Sequence, residues 1–263
     1  MSAKPFLLLQ ISDTHLGASW QGIDPERCLR HAVEAILALP QRPDALLVSG
    51  DLTQEGTPEE YARVRELLAP LELRPHVLPG NHDRRGPLRE TFGVPGEGEE
   101  PVSHTADLGP LRLVCVDSII PGAEAGALDG GRVEWLEATL AADREKPTVV
   151  AMHHPPLSTE MPGFDRIGLD PGSRAALAEV LARHPQVRRV VAGHVHRAIV
   201  GELGGRPVLT VPSTYLQSAA DFAGPGIEMR ADPPGFALHA LRDGALASHL
   251  QAFPLFLSTT IPE

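Results

Sequence analysis

Histidines, carboxylates and an asparagine follow five separate apolar runs of the sequence. The five segments are Asp13-Thr14-His15, Gly50-Asp51, Gly80-Asn81-His82-Asp83, His153-His154-Pro155 and Gly193-His194-Val195-His196. Together they hold six of the chain's twelve histidines. Neutral imidazoles combined with carboxylate and amide oxygens suit zinc, iron or manganese. The two oxygens of Asp51 could bridge a pair of such ions, and the amide oxygen of Asn81 could bind one of them.

Spacing and neighbouring glycines add to this pattern. Asp13 and His15 lie two residues apart, as do His194 and His196. An extended backbone would direct both members of each pair to the same side. The glycines that adjoin the segments would allow tight turns and close backbone approach. They are Gly50, Gly80 and Gly193.

Alternating strand-length and helix-length segments have to position these groups. The runs that precede the five segments predict strands at Phe6–Ser12, Ala45–Ser49, Pro75–Leu78, Thr148–Met152 and Arg188–Ala192. Further strands are predicted at Leu111–Asp117, Pro207–Val211, Phe236–Leu241 and Leu246–Phe253. Helices are predicted at Pro25–Leu39, Pro58–Leu68, Arg132–Ala142 and Gly172–His184, with Asp24 and Thr57 capping the first two. The alternation indicates an α/β fold whose ligands bind at the carboxyl ends of the strands, and the later strands suggest a second sheet.

Irregular loops are expected to form the walls of the site. Gly93–Pro101 and Pro155–Pro171 show no clear periodicity, and the second has the length of a functional lid. Gly17–Asp24 and Ser213–Ala231 are the other loops from which pocket walls are expected. The last of these either caps the site or forms a subunit contact.

Composition narrows the class of protein. The chain has 263 residues, is 42% apolar and has a formal net charge of -11, which argues against a protein that coats nucleic acid. Only Cys28 and Cys115 are present, so we expect no disulfide framework and a cytoplasmic location. The run Phe6–Leu9 is interpreted as a first strand rather than a signal peptide, and no apolar stretch is long enough to span a membrane. Walker-type and dinucleotide-binding glycine loops are missing from the sequence.

The five segments, in this order across residues 13 to 196, resemble the calcineurin-like metallophosphoesterase family. The His153-His154-Pro155-Pro156 form and the run Pro58-Glu59-Glu60-Tyr61-Ala62 are similar to the branch of bacterial cyclic-AMP and glycerophosphodiester phosphodiesterases. The resemblance implies a four-layer α/β/β/α sandwich of two mixed sheets. It also implies one domain over residues 1–263, in which residues from about 200 to 263 complete the second sheet and supply a cap or a dimer segment.

Ligand roles follow from the same resemblance. One divalent metal ion would be held by Asp13, His15, Asp51 and His196. A second would be held by Asp51, Asn81, His153 and His194, with Asp51 bridging. Iron, manganese, zinc or cobalt would suit both sites. A hydroxide between the metals would attack phosphorus, and His82 would assist the leaving group without binding metal.

The implied substrate is a small phosphodiester, either a 3′,5′-cyclic nucleotide such as cyclic AMP or a glycerophosphodiester. A phosphomonoesterase or nucleotidase that uses the same site is a second interpretation. A scaffold without activity is a third, and it is disfavoured because the chain retains every ligand and His82. Family members often form homodimers or larger homo-oligomers, which makes self-association a further expectation.

A few residues have two interpretations. His154 either orients a neighbouring group or contacts substrate. Asp83 either orients His82, which is the preferred interpretation, or caps its turn. Trp20 either lines the substrate entrance or anchors its loop. The isolated histidines are interpreted as buried core residues: His31, His76, His104, His184, His239 and His249.

Overall fold

Two mixed sheets lie face to face in the computed structural model, which describes residues 4–254. The first sheet has the order β13-β12-β1-β2-β3, with strands β1 (Phe6–Ile11), β2 (Ala45–Ser49), β3 (Pro75–Leu78), β12 (Gly235–Arg242) and β13 (Ala245–Ala252). The second has the order β4-β5-β6-β7-β9-β8, with strands β4 (His104–Asp107), β5 (Arg112–Cys115), β6 (Thr148–Ala151), β7 (Val187–Ala192), β8 (Ile199–Leu203) and β9 (Arg206–Thr210). A small hairpin pairs β10 (Gln217–Ser218) with β11 (Met229–Arg230).

Helices cover the outer face of each sheet. The six helices of the described chain are α1 (Pro25–Leu37), α2 (Pro58–Leu68), α3 (Arg85–Phe92), α4 (Gly130–Ala141), α5 (Pro162–Ile167) and α6 (Pro171–Arg183). One apolar cluster joins α1, α2 and α3 to the first sheet, and another joins α4 and α6 to the second. A third cluster fills the space between the sheets, with Leu47 and Val191 as members from opposite sheets. The predicted four-layer α/β/β/α sandwich is therefore confirmed.

Local signals in the sequence explain where the helices begin. The Asp24 side chain accepts a hydrogen bond from the Glu26 backbone N–H at the start of α1. Thr57 and Glu60 form the predicted capping box at the start of α2. The Asp129 and Asp170 side chains each accept a hydrogen bond from a backbone N–H at the start of α4 and α6, as Asp24 does at the start of α1. These bonds satisfy N–H groups that have no partner within the helix.

The expectation for the C-terminal segment is only partly right. β8 and β9 do complete the second sheet, but β12 and β13 return to the first. β12 pairs antiparallel with β1 along the edge that β2 leaves free, and β13 then pairs with β12. Residues 255–263 of that segment lie outside the described part of the chain.

Several further elements differ from the predictions. α3, β4, β8, β10 and β11 were not predicted, and α5 lies inside the segment that was expected to be an irregular loop. Burial of the isolated histidines is confirmed for His184 and His239 but wrong for the exposed His249; His31, His76 and His104 are partly exposed. Across residues 4–254, no helix combines the length and apolar character needed to cross a bilayer.

Candidate metal centre

The five polar segments converge on one cluster between the two sheets. β1, β2 and β3 end side by side in the first sheet, and β6 and β7 end side by side in the second. Six side chains of the cluster are at most 5% exposed: Asp13, His15, Asp51, His153, His194 and His196. Asn81 and His82 are partly exposed at its surface. The site is thus built by both sheets together.

Hydrogen bonds from backbone N–H groups hold four of the five strand ends against one another. The Asp13 N–H donates to the Gly50 carbonyl at 3.0 Å, which joins the ends of β1 and β2. The Asp13 carboxylate accepts a hydrogen bond from the His194 N–H at 3.0 Å, which joins the first sheet to the second. The Gly193 N–H donates to the His153 carbonyl at 3.1 Å. These bonds fix the distances between ligand atoms that come from distant parts of the chain.

Left-handed backbone conformations occur at most of the predicted ligands. The φ angle is 54° at Asp13, 44° at His15, 48° at Asp51, 69° at His194 and 48° at His196. The extended geometry predicted for the two spaced pairs is therefore wrong. Such angles are costly for residues with a Cβ, although aspartate and histidine tolerate them better than most. Strain of this kind collects at functional sites, where the surrounding structure enforces it.

The glycines beside the ligands have the predicted role. A Cβ atom on Gly50 would lie 2.3 Å from Nδ1 of His153, and one on Gly80 would lie 2.2 Å from Oδ1 of Asp51. A Cβ on Gly193 would lie 2.0 Å from the Ser12 hydroxyl oxygen. No side chain fits at these distances, so only glycine allows the ligands to approach the backbone this closely.

Two imidazoles face each other in the first group of ligand atoms. Nε2 of His15 lies 3.0 Å from Nε2 of His196, and the latter lies 3.5 Å from Oδ1 of Asp13. Nδ1 of His196 is 2.8 Å from the Leu216 carbonyl, and Nδ1 of His15 is 3.3 Å from the Gln54 side-chain oxygen. Oxygen acceptors at those positions require the proton on Nδ1, so both Nε2 atoms present lone pairs.

A second group has the same character. Nε2 of His153 lies 3.3 Å from the amide oxygen of Asn81, and Nδ1 of His194 lies 3.0 Å from that oxygen. Nδ1 of His153 donates to the Ser49 carbonyl at 2.9 Å, which leaves the Nε2 lone pair free for the cluster. Nε2 of His194 is buried and has no hydrogen-bond partner among residues 4–254.

Asp51 lies between the two groups. Its Oδ2 is 3.6 Å from Nε2 of His15 and 3.3 Å from Nε2 of His153, while its Oδ1 accepts the His82 N–H at 2.9 Å. Ligand atoms of three overlapping sets lie within 4.8 Å of one another: Asp13, His15 and His196; His15, Asp51 and His82; Asp51, His153 and His194. Acceptors packed this densely repel one another unless cations lie between them, so this donor set fits a pair of divalent ions.

Burial and charge determine the protonation of the cluster. Burial lowers the pKa of His15 and of His194 well below the usual range, which keeps both imidazoles neutral and able to bind metal. Burial acts to raise the pKa of Asp51, but the charge of His153 and its hydrogen bond to the carboxylate lower the pKa further than burial raises it. Burial acts to lower the pKa of His153, but the Asp51 carboxylate raises it to about 9. A divalent ion at this position would therefore replace a proton on His153.

His82 stands at the mouth of the cluster. Nδ1 of its ring lies 3.2 Å from the Gln54 carbonyl, so Nδ1 carries the proton and Nε2 faces away from that carbonyl. The ring packs edge-on against His15, with 4.9 Å between ring centroids. It is positioned to exchange a proton at Nε2 with a group bound in front of the cluster.

Asp83 caps its turn, and the preferred interpretation that it orients the His82 ring is wrong. Its carboxylate accepts hydrogen bonds from the backbone N–H groups of Gly80, Leu52 and Thr53 at 2.9, 3.1 and 3.3 Å. The Tyr61 hydroxyl donates to it at 3.0 Å. A carboxylate with this many donors stabilises the turn and the segment after β2, and its influence on His82 is indirect.

The side chain of His154 lies in the protein interior, beside the cluster. It is fully buried, and its ring lies between the Ser118 hydroxyl, 2.9 Å from Nδ1, and the Glu124 carbonyl, 3.0 Å from Nε2. Burial lowers the pKa of His154 to about 3, so the ring is neutral, donates from Nε2 and accepts at Nδ1. Both nitrogens are occupied, which favours the orienting interpretation over substrate contact.

Several supporting groups carry no signal in the sequence. The carbonyl oxygens of Ser49 and Leu216 set the tautomers of His153 and His196. The Ser213 hydroxyl donates to the Asp13 carbonyl at 2.6 Å. A backbone carbonyl can come from any residue type, and Ser213 lies far from every recognisable segment. Gln54, three residues after Asp51, is the one support that its closeness to a predicted ligand in the sequence could have indicated.

An open pocket of about 250 Å³ leads to the cluster. All three loops expected to form its walls do so: Trp20 comes from the first, Phe164 and Ile167 from the second, and Ile227 and Met229 from the third. The Trp20 ring lies 4.7 Å from His15 and stacks on Tyr215 at 5.8 Å between centroids. Trp20 thus lines the entrance and anchors its loop as well. One wall of the pocket carries polar ligand atoms, and the other is apolar and aromatic.

Comparison with known proteins agrees with this site. The family model for calcineurin-like phosphoesterases matches residues 6–198. A 3′,5′-cyclic adenosine monophosphate phosphodiesterase, CpdA, from Pseudomonas aeruginosa is 35% identical over 217 residues, which cover 81% of this chain and 78% of the relative. The glycerophosphodiester phosphodiesterase GpdQ from Enterobacter lignolyticus is 34% identical over 219 residues, which cover 80% of this chain and 78% of the relative.

Solved structures show the same fold at lower identity. A dimetal phosphatase from Danio rerio superposes with a TM-score of 0.69 at 16% identity, over 92% of this chain and 94% of the other. At that identity the likeness concerns the fold alone, whereas the family match and the curated relatives cover most of the chain. The chain belongs to the calcineurin-like phosphoesterase family.

Proposed function

We propose that this chain is a phosphodiesterase that uses two divalent metal ions. One ion would be held by Asp13, His15, Asp51 and His196, and the other by Asp51, Asn81, His153 and His194. The observation that supports these sets is the density of buried lone pairs, above all the 3.0 Å between Nε2 of His15 and Nε2 of His196. The mixed nitrogen and oxygen donors suit iron, manganese, zinc or cobalt.

Two ions so bound would supply Lewis acidity to a phosphoryl oxygen and would activate the attacking water. The remaining roles belong to side chains and carbonyl groups of the protein. Asp51 would contribute to both metal sites, and the hydrogen bond from the His82 N–H holds its carboxylate in place. The Ser49 and Leu216 carbonyls hold His153 and His196 in the tautomer that binds metal. Positioning before the reaction reduces the reorganisation required in the transition state.

His82 would supply the proton for the leaving alkoxide. Its Nδ1 donates to the Gln54 carbonyl, so a proton on Nε2 is the one available for transfer into the pocket. An alkoxide leaving group needs such a donor, whereas p-nitrophenolate is stable enough to leave without one. General acid catalysis of this kind contributes about 10²- to 10⁴-fold in rate.

A cyclic nucleotide is the substrate that the pocket supports best. Trp20 and Phe164 offer aromatic faces to a nucleobase, and Ile227 and Met229 extend the apolar surface. Outside the cluster, Glu124 is the one polar residue among residues 4–254 that lines the pocket, so the glycerol of a glycerophosphodiester would find few polar partners there. Relatives of both kinds resemble the chain to a similar degree, so the preference rests on the pocket wall.

The proposal also includes a cytoplasmic location and a homodimer. Cys28 and Cys115 are both free and buried, which is in line with the cytoplasm. Phe222 is 66% exposed in the segment between β10 and β11, and Val200 is 72% exposed on the edge strand β8. Such apolar surface supports a homodimer, which light scattering on the purified protein tests.

The decisive experiment compares three proteins by metal content and by turnover of bis-p-nitrophenyl phosphate, mono-p-nitrophenyl phosphate and a diester with an alkoxide leaving group. The wild type should hold two metal equivalents and prefer the diester. His82→Ala should keep both metals and lose about 10²- to 10⁴-fold in turnover of a diester with an alkoxide leaving group, but much less with p-nitrophenolate. Asp51→Asn should lose metal as well as activity.

Each expected result has an outcome that would contradict it. Preference for the monoester would favour the phosphomonoesterase interpretation. Full activity of His82→Ala on the alkoxide substrate would remove its role as acid. Activity of the metal-free protein would refute the two-metal proposal altogether. A panel of cyclic AMP, 2′,3′-cyclic AMP and a glycerophosphodiester, run on protein of measured metal content, then ranks the substrates.

A further inference from the structure

A second cavity, of about 320 Å³, lies at the opposite end of β3 from the metal centre. Its walls come from the start of β3, from the residues that end and follow α3, and from β4. Asn81 and His82 lie on the chain that connects β3 to α3. This cavity shares no lining residue with the pocket in front of the metal cluster.

Basic side chains dominate the polar part of this cavity. Arg74 and His76 enter it from the start of β3, and His104 enters it from β4. None of its eleven lining residues is an aspartate or a glutamate, although the whole chain carries a net charge of -11. A cavity with only basic ionisable groups in an acidic protein is suited to an anion.

These three groups lie close enough to oppose one another's charge. Burial and, to a smaller extent, the nearby His76 together lower the pKa of His104 to about 4. Burial also lowers the pKa of His76, and Arg74 adds to that effect. Nδ1 of His104 is buried and has no hydrogen-bond partner among residues 4–254, while Arg74 donates a single long hydrogen bond, 3.4 Å, to the Gly93 carbonyl. An anion between them would accept hydrogen bonds from these groups and would favour the protonated form of both histidines.

The rest of the cavity is apolar. Val77, Phe92 and Val94 line it beside the basic groups. Its volume exceeds that of an inorganic anion and lies at the lower end of the range for small-molecule sites. We propose that this cavity binds an organic phosphate, with the phosphate group on Arg74, His76 and His104 and an apolar body on Phe92 and Val94. Arginine suits this role because its guanidinium group can donate two parallel hydrogen bonds to phosphate.

The test uses full-length protein stripped of metal with a chelator, so that the metal centre cannot bind or hydrolyse the probe. Phenyl phosphate is titrated by calorimetry and by NMR of the histidine imidazole signals. We expect saturable binding that shifts the signals of His76 and His104. The double variant Arg74→Gln, His104→Asn should weaken binding at least about ten-fold, because a charge-assisted hydrogen bond contributes at least that much.

Matched controls separate the site from general charge effects. Arg188→Gln removes another exposed arginine that donates to a backbone carbonyl, that of Pro185, and it should leave the affinity unchanged. Phenol and inorganic phosphate test the two halves of the ligand, and both should bind more weakly than phenyl phosphate. No binding at millimolar concentration, equal affinity in the double variant, or equal affinity for inorganic phosphate would each overturn the proposal. Because no metal is present, these outcomes do not depend on the proposed phosphodiesterase activity.

Discussion

Removal of the His239 imidazole should change how the stability of this protein depends on pH. His239 lies on β12 and is fully buried between the sheets. Its Nε2 donates to the Gln10 side-chain oxygen at 3.0 Å, and its Nδ1 accepts from the Ser248 hydroxyl at 2.7 Å. Gln10 passes the network to the Ser49 hydroxyl at 2.8 Å. Both ring nitrogens have partners in the neutral form, so a second proton would require the Ser248 hydroxyl to change from donor to acceptor.

The size of the effect follows from the shift in pKa. Burial lowers the pKa of His239 from 6.5 to about 3, so the folded protein resists a proton that the unfolded chain accepts. The stabilising contribution is complete above pH 6.5 and is lost as the pH falls from there towards 3. At about 1.4 kcal/mol per pH unit, the loss is about 2 kcal/mol between pH 7.5 and pH 5, and about 5 kcal/mol in full.

Urea unfolding of the metal-free protein at a series of pH values measures this term. The variant His239→Gln lacks the titrating group, so its stability should fall by about 2 kcal/mol less than that of the wild type between pH 7.5 and pH 5. That difference corresponds to about 1 M urea in the midpoint. His249→Gln, an exposed site on β13, is the control and should follow the wild type. Parallel pH profiles of His239→Gln and the wild type would refute the reasoning, whatever constant offset separates them.

Three further substitutions test individual contacts. Gly80→Ala should lose metal, because its Cβ would lie 2.2 Å from Oδ1 of Asp51. Elemental analysis after dialysis measures the metal content, and retention of both metals would show that the site has room for this Cβ. Tyr61→Phe should lower the free energy of unfolding by about 1–3 kcal/mol, because it leaves the Arg84 N–H and one lone pair of Asp83 without a partner. Urea unfolding measures this change, and an unchanged midpoint would show that water replaces the hydroxyl. Trp20→Ala should raise KM for cyclic AMP about ten-fold and leave KM for a glycerophosphodiester unchanged, because only the nucleotide has a base to pack on the ring. Equal changes in the two KM values would mean that Trp20 only anchors its loop.

The fold was largely predictable because its signals are local. Apolar runs and capping residues such as Asp24 and Thr57 depend on a few neighbouring positions, and the elements that they predict are present. The sheet to which β12 and β13 belong was not predictable in this way, because pairing with β1 joins residues more than two hundred positions apart. α3 was missed because Gly86 and Pro87 are typical of a turn, yet proline is tolerated in a first helical turn, where the N–H has no partner.

The predictability of the site also depends on whether the signal is local in the sequence. Side chains that could bind metal were visible because each follows a strand, and the carboxyl ends of parallel strands meet. The groups that orient them were not, because Ser49 and Leu216 contribute backbone carbonyls that any residue could provide. Asp83 was misjudged for a related reason. Its position beside His82 in sequence suggested a contact, but the turn directs its carboxylate to the N–H groups of Gly80, Leu52 and Thr53.

Left-handed backbone at the ligands links the fold to the chemistry. A regular strand would direct the side chains of Asp13 and His15 to one face of the sheet, whereas φ angles of 54° and 44° break the extended backbone at both residues. The cost of each such residue is about 1–2 kcal/mol, which the bonds between strand ends must offset. One of these bonds, from the His194 N–H to the Asp13 carboxylate, crosses from one sheet to the other. Formation of the ligand geometry therefore requires the two sheets to be docked, and neither half of the sandwich could assemble the site alone.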